Sequence, residues 1–355
     1  MTELPTTARV VIVGGGAMGC SVAYHLTKAG IKDVVLFERN KLTSGTTWHS
    51  AAQVRALRSS RNLTHLIQRS IQLYQSLQEE TGLATGWINR GSLSIATNDN
   101  RMTHIQRQKA LADLYGVDTV TVSQGEAAER WPLMNSDDVI GAVWSPDDGR
   151  VSPTDLCQSL IKGAKENGAQ IFEDTALDAI NTHNGRVHSV VANGTTIQCE
   201  SVVLCSGLWS RENALLAGHA VPVWPCHHYY LLTQPLPGFE QTLPTLSDHD
   251  QSLYIRDDSG GLLVGCFEAH AKAIDVDTIG RHSPFALLQE DWDHFEPVMQ
   301  AGLHRIPALA EAEVRTLLNG PESFTPDGNF LLGESGTTDG PVSYTHLTLP
   351  TTPYV

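Results

Sequence analysis

Gly14, Gly16 and Gly19 fall at the spacing GxGxxG inside "ARVVIVGGGAMGCSVAYHLTKAGIKDVVLFER", and Glu38 follows 19 residues after the last of them. Glycines so spaced let a strand turn sharply into a helix, let a pyrophosphate approach the backbone, and let helix pack on strand. The helix that follows points free N–H groups and a partial positive charge at phosphates. A carboxylate about 20 residues further on is placed to grip ribose hydroxyls. Glycine-rich turns also form for structural reasons alone. Here strand, turn, helix, strand and acid come in order, which points to a dinucleotide with an unphosphorylated ribose, FAD or NAD rather than NADP.

A second stretch, "LTSGTTWHSAA" (Leu42–Ala52), sets Trp48 and His49 side by side at the end of a Ser/Gly/Thr turn. A nicotinamide enzyme usually continues from its first acid with alternating strands and helices. This chain enters a polar turn within a few residues of Glu38 instead. An extended loop there could run beneath a cofactor, with Ala51 and Ala52 small enough for close contact. His49 then either faces the cofactor or is an ordinary surface or helix-entry histidine.

The elements that must position these residues follow from the pattern. Val10–Val13 and Val34–Phe37 read as buried parallel strands. A helix is expected from about Asn62, where Leu63, Leu66, Ile67, Ile71, Tyr74 and Leu77 form one apolar stripe. "GWINRGSLSIATN" reads as a strand leaving the nucleotide domain, with helices across 99–115 and 123–130. "PTDLCQSLIKGAKENGAQIFED" is a Pro-initiated helix and a strand, returning to the first domain. Asn193-Gly194 marks a hairpin turn, and the apolar strand Val202–Cys205 opens at Gly207. From Val221 onward, "VPVWPCHHYYLLT" and "SLYIRDDSGGLLVGCFE" read as strands of an antiparallel sheet, with a long helix near Ala286–Leu303. No internal repeat is visible.

Composition excludes other roles. The chain of 355 residues carries net charge −15, with 41% hydrophobic and 18% charged residues. It reads as soluble and globular, and neither nucleic acid nor an anionic membrane finds a basic footprint. No apolar run approaches the ~20 residues of a membrane span. The first strand begins almost at once, leaving no room for a signal peptide, so a cytoplasmic location is expected. Cys20, Cys157, Cys199, Cys205, Cys226 and Cys266 form no CxxC pair. They read as reduced buried thiols, and no metal site is expected.

"LTSGTTWH", "EETGLATGWINRGSLSIATN", "YGVDTV", "PLMNSDDVIGAVWSPDDG", "GPESFTPD" and "LLGE" closely resemble the flavoprotein amine oxidoreductases of the D-amino-acid oxidase type. The similarity is to the sarcosine and dimethylglycine dehydrogenase branch, over roughly residues 8–335. The resemblance implies an α/β fold: a Rossmann-like FAD-binding domain of the glutathione-reductase type, interleaved with an α+β substrate domain built on an antiparallel sheet. The expected division gives residues 1–86, 148–220 and 316–335 to the first domain and 87–147 and 221–315 to the second. It further implies FAD joined covalently through His49, with other cofactor contacts at Arg39, Thr46, Thr47, Ala52, Leu177, Gly207 and Trp209.

His228 and Tyr254 match the family's catalytic His and Tyr. Alternation along a strand places His227 and His228 on opposite faces, so His227 is expected on the surface or hydrogen-bonded in the core. Arg256 shares a face with Tyr254 and could meet a substrate carboxylate, although a solvated strand-end arginine is the plainer reading.

The implied reaction is oxidative N-demethylation of sarcosine or a similar N-methyl amino acid, including dimethylglycine and 4-methylaminobutanoate. Oxygen or an electron-transfer flavoprotein would be the acceptor. A rival is a non-catalytic flavoprotein like the regulatory subunit of pyruvate dehydrogenase phosphatase. The family continues beyond "LLGE" with a glycine-rich segment and a folate-binding domain. Tetrahydrofolate therefore enters only if such a domain exists. Residues 336–355 turn Thr-rich and are expected to be an unstructured or foreign tail.

Overall fold

The computed structural model describes all residues except 1–2, 185, 238–241, 269, 281–282, 335–341 and 347–355. The fold is mixed α/β, organised around two eight-stranded sheets and a small three-stranded one.

The first sheet is built outward from Thr7–Val13, which pairs in parallel with Val34–Phe37 on one side and Thr195–Leu204 on the other. Gln170–Phe172 extends it in parallel, and the antiparallel strands Leu177–His183 and Arg186–Ala192 form its other wing. Val34–Phe37 is buried at every position, as a strand covered on both faces must be. The helices Ala17–Lys28 and Pro153–Glu166 cover one face through Cys20, Ala23, Tyr24, Leu156, Leu160 and Ile161. Asn193 (φ 46°) and Gly194 (φ 74°) both take the left-handed conformation, which a two-residue hairpin turn of this hand requires.

The second sheet runs in the order Val314–Phe324, Trp224–Thr233, Gly261–Cys266, Leu253–Asp258, Thr245–Asp248, Ser92–Ala96, Gly141–Ser145, Val120–Val122. It is antiparallel except where Thr245–Asp248 meets Ser92–Ala96 in parallel. One face packs Tyr229, Leu231, Ile255, Val264 and Leu317 against Phe295 and Val298 of the helix Trp292–Arg305. The other face carries Tyr230, Tyr254, Leu263 and Leu318 against Trp48 and Ala51. The loop after Glu38 is therefore clamped between the two sheets. Gln53–Val54, Gly149–Arg150 and Ile88–Asn89 form the small sheet where the chain crosses between them.

Three expectations need correction. The helix placed at Ala286–Leu303 spans Trp292–Arg305, because Asp291 caps it by accepting the His294 N–H at 3.0 Å. Residues 316–324, expected in the nucleotide domain, lie in Val314–Phe324 and pair along their whole length with Trp224–Thr233 of the second sheet. Leu331–Glu334 lies at the edge of the first sheet. There it pairs with Val342–His346, a strand that also lies parallel to Val202–Leu204. That part of the expected tail is thus a strand, and the rest of 336–355 lies outside the described residues.

Candidate active site

The glycine turn is fixed by close approach. Gly14 takes φ 109°, and a Cβ there would sit 2.3 Å from the Cys205 carbonyl oxygen. Gly16 precedes the helix Ala17–Lys28 with no side-chain cap, and the Thr47 hydroxyl accepts the Ala17 N–H at 3.0 Å. The remaining N–H groups of that first turn are the place for an anion. Glu38 accepts the Gly15 N–H at 2.7 Å and the Asn40 N–H at 2.9 Å, which presents its carboxylate at the turn. Burial raises the Glu38 carboxyl above its ordinary range, and the two backbone N–H groups pull it back.

A cavity of about 680 Å³ begins at this turn. Gly14, Gly16, Glu38, Arg39, Thr46, Thr47, Ala52, Leu177, Gly207 and Trp209 all line it, as do Glu322 and Ser323 from the second sheet. The Arg39 guanidinium lies 3.5 Å from the centre of the Trp209 ring. The cavity thus joins the glycine turn to the second sheet in one continuous space. Gly19 lies off the wall and serves helix packing.

His49 is 5% exposed and its Nε2 has no hydrogen-bond partner. Its neighbours Thr47 and Ser50 line the cavity, while the imidazole itself lies against Gly320 of the second sheet. A Cβ at Gly320 would come within 2.5 Å of the ring, so glycine is what lets the loop close here. Trp48 stands edge-on to His49, with ring centres 5.4 Å apart, and wedges into the Tyr230–Tyr254 cluster. Trp48 is thus the packing element that fixes its neighbour. Burial pushes the His49 imidazole down to about 4, so it is neutral near pH 7.

Gly320 pairs with His228 across the sheet, so His228 and His49 approach the same face. His228 places Nε2 3.1 Å from the Tyr254 hydroxyl and Nδ1 3.4 Å from Glu268 Oε2. Neither His228 nor Tyr254 is on the cavity wall; they stand beside Glu322, which is. His227 faces the other way and contacts Asn319.

Arg256 is neither solvated nor available. It is 8% exposed and donates to the Ala51 carbonyl at 2.9 Å, the Asp257 carbonyl and the Asp258 carboxylate. Position near a strand end suggests solvent; the Ala51 loop packed over that end and the strand's own Asp257 and Asp258 supply the acceptors. The part-buried cation that sequence reasoning missed is Arg58. It lines the cavity, and its side chain makes no hydrogen bond among the described residues. Burial and the neighbouring Arg55 bring it down to about 10. Asp148 pins the segment between the two arginines by accepting the Ala56 N–H and the Ser92 hydroxyl. Glu322 was also missed; it follows Gly320 by two residues in Val314–Phe324, and the pairing of that strand with Trp224–Thr233 puts it on the His228 face.

Burial also pushes His249 down to about 3. Both His49 and His249 bind protons less readily folded than unfolded, so folding stability is complete above about pH 6.5 and falls as pH drops toward 4. His249→Asn is expected to flatten that loss. Urea midpoints measured at several pH values check it, and an unchanged slope would assign the acid sensitivity elsewhere.

The FAD dependent oxidoreductase (DAO) family model matches residues 9–348, and the chain belongs to that family. Mitochondrial sarcosine dehydrogenase of Mus musculus is 38% identical over 94% of this chain and 36% of its own length. The mitochondrial pyruvate dehydrogenase phosphatase regulatory subunit of the same organism is 38% identical over 95% of this chain and 39% of its length. The 4-methylaminobutanoate oxidase (formaldehyde-forming) of Paenarthrobacter nicotinovorans is also 38% identical, over 94% of this chain and 40% of its length. This chain therefore spans well under half of these curated relatives. The crystal structure of L-proline dehydrogenase from P. horikoshii superposes with TM-score 0.86 at 24% identity, covering 97% of this chain and 88% of that one, which shows the shared fold.

Proposed function

We propose that this chain carries the flavin site of an amine oxidoreductase that removes N-methyl groups from sarcosine or a similar small amino acid. The observation that carries it is the single cavity joining the glycine turn to Glu322 and Ser323 on the second sheet. FAD suits the residues present: a turn whose glycines leave no side chain in the way, the Glu38 carboxylate at that turn, and a buried unpartnered imidazole beside the wall. When bound, the flavin supplies the acceptor for a hydride leaving the N-methyl carbon.

The chain's own residues do the rest. Arg58 offers its unpaired guanidinium to a substrate carboxylate, in the place of Arg256, which the fold has engaged. On the second sheet Leu318, Tyr230 and Tyr254 pack as one cluster against Trp48 and Ala51 and hold the loop that carries His49. Hydride loss leaves an iminium on the substrate, and water addition releases formaldehyde and the demethylated amine. Dimethylglycine and 4-methylaminobutanoate are alternative substrates, with oxygen or an electron-transfer flavoprotein as alternative acceptors.

His49 is proposed to hold the flavin covalently. A nucleophilic nitrogen must be unprotonated, and burial keeps this one so. In acid-denatured protein run on a gel, yellow fluorescence is expected to stay with the parent chain and vanish from His49→Ala. A parent that releases all its flavin would refute the covalent bond while leaving FAD binding intact. The second reading, a non-catalytic flavoprotein, is favoured by equal identity to the phosphatase regulatory subunit. Anaerobic bleaching of the bound flavin by an N-methyl amino acid decides between them.

A further inference from the structure

We propose that Glu322 is the group that takes the proton from a cationic amine substrate, and that His228 is held in place by Tyr254 and Glu268 instead of acting as the base. The proposal rests on the amine-oxidising reading above.

His228 has no nitrogen to spare. Its Nε2 faces the Tyr254 hydroxyl at 3.1 Å and its Nδ1 faces Glu268 at 3.4 Å. Burial holds the Tyr254 phenol well above its ordinary value, so it keeps its proton and donates it to Nε2. The imidazole proton then sits on Nδ1, toward Glu268, and the ring's lone pair is already used. Tyr254 and His228 also lie off the cavity wall.

Glu322 differs on each count. It sits opposite Cys226 on Val314–Phe324, one diagonal step from His228 on the same face, a separation that long side chains can bridge. Its side chain lines the cavity, and one carboxylate oxygen accepts the Ser323 N–H at 3.1 Å. Among the described residues no cation forms an ion pair with it, and a carboxylate so placed is costly unless a ligand supplies the partner. Burial raises its affinity for a proton, and the Ser323 N–H pulls it partly back. The other titratable groups gathered here are His49 from the loop beneath, Tyr254 and Glu268 around His228.

The step balances within the pair. A proton leaves the ammonium nitrogen and forms an O–H bond on Glu322, while the N–H electron pair stays on nitrogen. The products are a neutral amine and a neutral carboxylic acid, and no oxidant takes part. The lone pair so freed assists hydride loss from the N-methyl carbon. The site therefore selects amines that carry a removable N–H when protonated. A quaternary ammonium such as N,N,N-trimethylglycine binds the carboxylate but has no proton to give and is not oxidised.

The test uses flavin-loaded protein under anaerobic conditions, with sarcosine or whichever N-methyl amino acid bleaches the parent. Bleaching of the parent tests the amine-oxidising reading; the variant tests this one. In Glu322→Gln the flavin reduction rate near neutral pH is expected to fall about 100-fold, the usual scale for a lost general base. It recovers only as pH approaches the amine's own value of about 10. (Methylthio)acetate, which has the substrate's shape and no ammonium proton, should bind parent and variant equally. Reduction by Glu322→Gln with the parent's rate and pH profile overturns the proposal, as does an equal loss of (methylthio)acetate binding, which would make Glu322 structural. Should Glu322→Gln fail to take up flavin, Glu322→Asp keeps the acid but retracts it. A slowed, still pH-dependent reduction supports the proposal, and an unaltered profile overturns it.

Discussion

Gly19→Ala is expected to yield protein that neither retains flavin nor melts cooperatively at the parent temperature. A Cβ at this position would sit 1.8 Å from the Gly14 carbonyl oxygen and 3.0 Å from its carbon. The obstacle is backbone, so no side-chain rotation relieves it. The helix Ala17–Lys28 would have to move off Thr7–Val13, and that movement dismantles the turn from which the Ala17 N–H reaches Thr47. Overpacking of a core costs about 1–3 kcal/mol where neighbours can yield, and more where they cannot. The nucleotide turn and the helix contact fail together, so stability and binding fall as one. Flavin absorbance per mole of protein and a thermal melt are the measurements. A fully loaded variant with an unchanged melt would show that the turn tolerates a side chain.

Arg305→Met is expected to destabilise the chain by about 3–5 kcal/mol, the cost of leaving a buried partner charge unpaired. Arg305 is 1% exposed, at the end of the helix Trp292–Arg305. It donates to Asp248 at 3.0 Å from Nε and binds Asp138 through both terminal nitrogens, at 2.7 and 3.0 Å, with the Asn135 carbonyl at 2.7 Å. One guanidinium thus ties the helix, the strand Thr245–Asp248 and the loop after Trp131. Asp248, 1% exposed, would be stranded. Adding Asp248→Asn to Arg305→Met should recover part of the loss, because the stranded charge goes with it. Urea unfolding of the two variants checks this, and a double variant no better than the single would place the cost in packing. Arg305 also holds the Asp138 carboxyl down at about 2. In the parent that contribution is full above the unfolded value near 4 and drains away as pH falls toward 2; Arg305→Met removes the window.

These two sites differ in how far the amino-acid order alone discloses them. The nucleotide turn was legible because backbone crowding admits only glycine at fixed spacings. Those spacings lie within one strand–turn–helix unit. The alternation of His227 and His228 was legible for the same local reason. Arg305 was not, since nothing near it in the chain announces Asp248 or Asp138. The burial of Arg256 was not legible because the loop that covers it, and supplies the Ala51 carbonyl beside the neighbouring Asp257 and Asp258, comes from far away in the chain. The strand Val314–Phe324 is buried on both faces through Leu317–Pro321, so its pattern says strand without saying which sheet. Glu322 stood in a quoted stretch, yet only the pairing with Trp224–Thr233 sets it beside His228. The helix Trp292–Arg305 began later than its apolar content suggested because an aspartate cap, and not hydrophobicity, decides where a helix starts.

Gly320 carries a consequence for descent. Its missing side chain is the space that the His49 ring occupies, so the two positions form a lock whose halves were written far apart in the gene. A lineage cannot enlarge one half and keep the other where it is. The order of change is constrained as well: the glycine had to be in place before an imidazole could settle against it. A smaller residue in place of the histidine meets no steric bar and leaves only a cavity, whereas a larger one in place of the glycine collides with the ring.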